Sequence, residues 1–159
     1  CILAKKPAIM KLTVSKLNNF LLFKLPSAFF CGVRVKEIDV NKCVVSVKHR
    51  WINQNPFNSM YFAVQAMAAE LSTGALVMFQ IAKSGRKISM LVANNKGNFT
   101  KKATGRITFT CNDGHLIEKA ILETIATGEG QTFWMKSIGT NETGIQVSEM
   151  DFEWSVRVK

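Results

Sequence analysis

Glu70 is the one charged residue between Arg50 and Lys83. It lies inside a run, from about Met60 to Ile81, that is apolar on nearly every side. A helix apolar all round is buried rather than amphipathic. A lone carboxylate in such a helix is costly unless it is paired, hydrogen-bonded or protonated. Burial also raises a carboxyl pKa towards the working pH, where a carboxylate is most useful as a general base. Just before this run comes an Asn-rich turn, Trp51-Ile-Asn-Gln-Asn-Pro-Phe-Asn-Ser59, with Asn58 or Ser59 as the expected N-cap. The sequence therefore places a polar loop, a helix start and a buried acid on one element. The rest of the chain must form a sheet around it.

Composition bounds what such a site can serve. The 159 residues, 47% hydrophobic and 20% charged, suffice for one real core. The net charge of +10 is unevenly spread. Residues 1–36 and 71–112 each carry seven Lys/Arg and no acid, whereas 113–159 carry eight acids and four bases. A basic middle suits a polyanionic or phosphorylated partner. It equally suits a lysine-guarded sheet edge. No Arg-rich run, helix-turn-helix or zinc-finger spacing is present, which argues against nucleic acid. Cys1, Cys31, Cys43 and Cys111 form no CxxC pair and have no His at ligand spacing, so no metal and no cofactor are expected, and the compartment reads as reducing cytoplasm. Gln65, Glu70, Ser72, Thr73 and Gln80 argue against a membrane span over 60–81.

The order of elements follows from periodicity. Leu12–Leu25 reads as a helix stopped by Pro26, and 27–32 as an apolar connection. Val33–Val40 and Cys43–Trp51 form a hairpin about Asn41-Lys42. After the central helix, which ends near Ser84-Gly85, come a strand over Lys87–Ala93, a break or bulge over Asn94–Asn98, and a strand over Arg106–Cys111. A second helix follows over Gly114–Thr127, with Gly128 at its C′ position. The last strands are Gln131–Ile138 and Gly144–Val158. The apolar positions of the final strand switch from odd to even numbers, predicting a β-bulge near Ser148–Met150. Gly74 inside the central helix predicts close packing against another backbone. The fold class is α+β, an antiparallel sheet packed on a long central helix. Residues 1–10 read as a non-native or disordered extension, with Met10 the natural start, and 11–159 as the single domain.

This order, with an Asn-bearing loop before a buried helix, resembles the hotdog fold. More narrowly it is similar to the PaaI-like acyl-CoA thioesterases and the uncharacterised DUF4442 branch, over about residues 11–158. The PaaI-like pattern is Asn-x-x-Gly-x-x-His-Gly-Gly, with an acid fifteen positions after the Asn. Asn55 and Glu70 stand fifteen apart; Asn58 takes the place of the first Gly, Tyr61 that of the His, and Phe62 and Ala63 those of the Gly pair. The resemblance implies thioester hydrolysis in a homodimer or tetramer, with the site between two antiparallel central helices. Chemically, the N–H groups of Tyr61, Phe62 and Ala63 are candidates to polarise a thioester carbonyl. Glu70 is the candidate base or nucleophile, and Asn55 orients the water or the carbonyl. Lys83, Arg86, Lys87, Lys101 and Lys102 are candidates for the phosphates of CoA, or for an acidic acyl carrier protein. The missing His-Gly-Gly leaves a second reading open, a non-catalytic acyl- or CoA-binding protein on the same fold.

Overall fold

The computed structural model describes residues 12–159; the extension expected over 1–10 lies outside them. Thr13 caps the first helix α1 (Val14–Lys24) by accepting from the Lys16 N–H at 3.3 Å. Pro26 ends that helix, as its ring and missing N–H require. It also starts another: the apolar connection is the short helix α2 (Pro26–Phe30), with proline at the position where its fixed φ is an advantage. Strands β1 (Arg34–Ile38) and β2 (Cys43–Lys48) form the expected hairpin, and β2 yields to a single 3-10 turn at Trp51–Asn53.

The central helix α3 (Phe62–Ser84) is followed by β3 (Ile88–Phe99), β4 (Arg106–Cys111), α4 (Gly114–Thr127), β5 (Gln131–Thr140) and β6 (Gln146–Val158). Among the described residues six strands make one antiparallel sheet in the order β1-β2-β4-β5-β6-β3. Helix α3 is long and apolar enough to cross a bilayer, but most of its apolar length is buried within the fold. It packs on β2, β4, β5 and α4, and Val64, Leu71, Leu76 and Val77 are buried there. Each such side chain contributes roughly 1.5–3 kcal/mol. Polar ties fix the helix on the sheet: Ser72 Oγ meets Ser137 Oγ at 2.7 Å, and Trp154 Nε1 donates to Thr73 Oγ1 at 2.9 Å. Cys43 and Cys111 face each other across β2 and β4 as free, buried thiols, and burial pushes both up to about 12.

Two expectations are corrected, and the expected β6 bulge is present beside the positions given for it. Residues Asn94–Asn98 do not interrupt the strand; they pair with Glu153–Glu149 of β6, and the irregularity is one bulged residue, Ala93. Backbone pairing at the sheet overrides the poor strand propensity of an Asn-Asn-Lys-Gly-Asn stretch. The β6 bulge lies at Val147, where pairing passes from Gly139↔Ser148 to Thr140↔Gln146, so Val147 and Ser148 are both buried and the face switches. Gly74 packs against a side chain rather than a backbone: a Cβ there would sit 3.0 Å from the Trp154 ring.

Candidate active site

The loop before α3 is held by two asparagines with different work. Asn53, 2% exposed, donates to the carbonyls of Cys31 and Lys48, both at 2.9 Å, and accepts from the Arg50 N–H. It thereby fastens the 3-10 turn to α2 and to the end of β2. Sequence reasoning missed it, since nothing in the spelling separates Asn53 from its neighbours. Asn55 closes the loop onto itself. Its Oδ1 accepts from the N–H groups of Phe57 and Ser59, and its Nδ2 donates to Ser59 Oγ and the Met60 carbonyl. An amide so engaged sets the shape of the loop and has no free position for a water. Asn58 holds φ at +58°, a left-handed conformation that Gly adopts freely and that Asn tolerates best among the other residues.

The N-cap of α3 is Tyr61, and neither Asn58 nor Ser59 caps the helix; Tyr61 is extended and makes no side-chain cap bond. Its own N–H donates to the Asn53 carbonyl at 2.9 Å, so of the three candidate carbonyl-polarising groups this one is occupied. The N–H groups of Val64 and Gln65 turn back to the Tyr61 carbonyl at 3.0 and 3.3 Å. Those of Phe62 and Ala63, the first two helical residues, have no acceptor among the described residues. They face outward with the positive end of a 23-residue helix.

A cleft of about 510 Å³ opens at this end, bordered by Asn55, Tyr61, Phe62, Gln65, Lys101 and Lys102. An aromatic edge runs along it, with Tyr61 against Phe62 at 5.0 Å and Phe62 against Phe99 at 6.2 Å between centroids. Lys102 Nζ donates to the Phe57 carbonyl at 3.1 Å.

Glu70 is on the same helix, eight residues beyond Phe62 and about 12 Å along the axis at 1.5 Å per residue. It does not border the cleft. Burial pushes its carboxyl up to about 7. Among the described residues the carboxylate has no ion pair and no hydrogen bond; Thr73 Oγ1 donates to the Glu70 backbone carbonyl instead. Glu70 Oε1 lies 3.1 Å from where a Cβ on Gly74 would stand. The bare Gly74 thus leaves room for both the acid and the Trp154 ring.

The basic candidates separate. Lys101 and Lys102 border the cleft. Lys83 lies in the last turn of α3 beside a smaller pocket of about 130 Å³ that includes Gln80 and Glu118, and Arg86 and Lys87 follow the helix. The two groups lie at opposite ends of α3, a helix of 23 residues and about 35 Å. Among the described residues no three His, Cys, Asp or Glu side chains gather as metal ligands would.

Residues 15–156 match the model of a family described as a domain of unknown function, DUF4442. The chain belongs to the DUF4442 family. No curated protein matches its sequence. Solved structures share the hotdog fold of this DUF4442 chain at low identity. A Pseudomonas aeruginosa protein of unknown function, described as a probable thioesterase, superposes with a TM-score of 0.80 at 22% identity, over 94% of this chain and 99% of its own. A Chlorobaculum tepidum protein of unknown function gives 0.81 at 13%, over 94% and 99%. A Haemophilus influenzae thioesterase gives 0.72 at 12%, over 92% of each chain.

Proposed function

We propose that this DUF4442 protein is a thioesterase that hydrolyses acyl-CoA or acyl-carrier-protein thioesters as a homodimer in the cytoplasm. The observation that carries the reading is the pairing of two unsatisfied features on one helix. These are a half-buried carboxylate poised near 7 and a helix start with two free N–H groups, that of Phe62 at the border of the cleft. The names of the P. aeruginosa and H. influenzae relatives agree with it.

In the proposed reaction the thioester oxygen accepts from the N–H groups of Phe62 and Ala63, which stabilise the charge that develops on it. Glu70 takes a proton from water as the water oxygen bonds to the carbonyl carbon. The tetrahedral intermediate collapses, the C–S bond breaks, and the Glu70 carboxyl returns the proton to the departing sulfur. One helix cannot bring both features to one carbonyl across about 12 Å. The acid is therefore that of the partner subunit in a dimer. Strand β3 supports such a dimer: it is 12 residues long and, among the described residues, pairs with β6 alone and stands at the sheet edge. A long open edge is a template for another strand, and a second β3 would continue the sheet.

A specific observation favours the second reading, a non-catalytic acyl- or CoA-binding protein. Phe62, where the PaaI-like pattern has Gly, puts an aromatic side chain, 55% exposed, at the border of the cleft. Hydrolysis of a panel of short, long and aromatic acyl-CoA thioesters, beside Glu70→Gln, decides between them. General-base catalysis predicts turnover reduced 10²–10⁴-fold in the variant. Turnover that survives Glu70→Gln rejects this mechanism, and saturable CoA binding without turnover establishes the binder.

A further inference from the structure

Gln65 is 4% exposed, borders the cleft at the start of α3, and makes no side-chain hydrogen bond with any described residue. Its Oε1 is enclosed and unpartnered. Buried amides are almost always satisfied, because leaving one unpaired is unfavourable. The fold does not need this one polar: the second buried glutamine of α3, Gln80, donates to the Val40 carbonyl at 2.6 Å and ties the helix to the β1–β2 turn. An unspent N–H donor on the wall of a cleft, beside two free helix N–H groups, is the chemistry of a ligand contact.

We propose that Gln65 selects the thiol half of the substrate, donating its side-chain N–H to the carbonyl of the first secondary amide of a pantetheinyl arm. This rests on the thioesterase reading. The Gln65 Nε2–H matches the C=O of a secondary amide, an acceptor that a simple alkyl thiol lacks at that distance from the sulfur. The spacing agrees. Gln65 lies three residues beyond Phe62, about 4.5 Å along the axis, and helical side chains lean towards the N-terminus. In a pantetheinyl thioester the first amide lies two methylenes beyond the sulfur. With the carbonyl at Phe62 and Ala63, that amide comes alongside Gln65. Phe57 and Phe99 flank the methylenes, and Lys101 and Lys102 stand at the same cleft for the anionic end of the carrier.

The test gives one acyl group four thiol halves: CoA, an acyl carrier protein, N-acetylcysteamine, which keeps the first amide, and a simple alkanethiol, which has none. Gln65→Leu should lower kcat/KM about tenfold to a hundredfold on the amide-bearing thioesters, chiefly through KM, and leave the alkanethiol ester unchanged. Preference of the wild type for CoA or for the carrier protein identifies the source, and the loss must appear on that carrier. An equal loss on all substrates, or none on any, overturns the proposal. If leucine disturbs the fold by circular dichroism, Gln65→Met takes its place. Absence of turnover on every thioester would reject the thioesterase reading alone. Calorimetry with pantetheine then decides this inference: tenfold weaker binding in Gln65→Leu supports it, and equal or absent binding overturns it.

Discussion

The two ends of α3 are built to opposite standards. At the C-terminal end Gly85 takes the left-handed position at φ +67°, its N–H returns to Ala82, and Ser84 Oγ donates to the Ile81 carbonyl. Gln80 is bonded there, and the adjoining pocket is small. At the N-terminal end the cap is a tyrosine without a cap bond, two N–H groups are free, and Gln65 is unpaired beside a cleft about four times larger. Both ends belong to one rigid element in one sheet, so general looseness does not explain the contrast. One end is finished by the chain itself; the other is left for a ligand to finish.

The sharpest way to break this comparison is Phe62→Pro. Proline at the first helical position removes one N–H that the helix never uses. Tyr61 already has φ −59° and ψ 135°, a conformation proline accepts in the residue before it. Stability should change little by urea unfolding, while kcat on an acyl-CoA falls about 10²–10³-fold. Phe62→Ala, which keeps the N–H, should retain most activity. Equal activity in both variants would remove the helix start from the chemistry.

Glu70 gives a nearly equal effect of opposite character. Its carboxyl is raised from 4.5 to about 7, so the folded state binds its proton more tightly than the unfolded chain does. The contribution to stability is present below pH 4.5 and is lost as pH rises to 7, by about 3 kcal/mol at 1.36 kcal/mol per pH unit. Glu70→Gln should therefore be more stable than wild type at pH 8 and nearly equal to it at pH 4, by denaturant midpoints. In wild type, kcat/KM should rise with pH through about 7.

The glutamines then separate structure from function. Gln80→Leu strands the Val40 carbonyl and should cost about 1–3 kcal/mol. Gln65→Leu strands nothing within the chain and should be neutral or stabilising in the same urea titration. The smallest effect concerns the lysines. Lys83→Ala should leave KM for acyl-CoA unchanged, whereas Lys101→Ala or Lys102→Ala raises it a few-fold, and more so at low salt.

The sequence made the order of elements along the chain, the central helix and α4 legible because periodicity records burial directly; β4 and α4 agree with it to the residue. Asn55 and Glu70 were legible as types at a spacing. What the letters could not carry is who bonds whom. The N–H of Tyr61 is lost to the Asn53 carbonyl, a pairing set by a turn's geometry. Asn55 spends its amide on Ser59 and Met60, within its own loop. Gln65 and Gln80 read alike in the chain, since both are polar residues in an apolar helix, and only their surroundings divide them. The polar run of β3 was misread because strand propensity on the far side of a bulge is decided by the neighbouring strand, here β6.

The facing thiols of β2 and β4 turn this sheet into its own clock. With both near 12, almost no thiolate exists at neutral pH, and both side chains are sealed inside. An alkylating dye therefore reaches Cys43 and Cys111 only when the first two strand pairs come apart, whereas Cys31 is partly open in the folded state. The rate at which label arrives at those two positions, read by mass, times the opening of the sheet without any introduced probe.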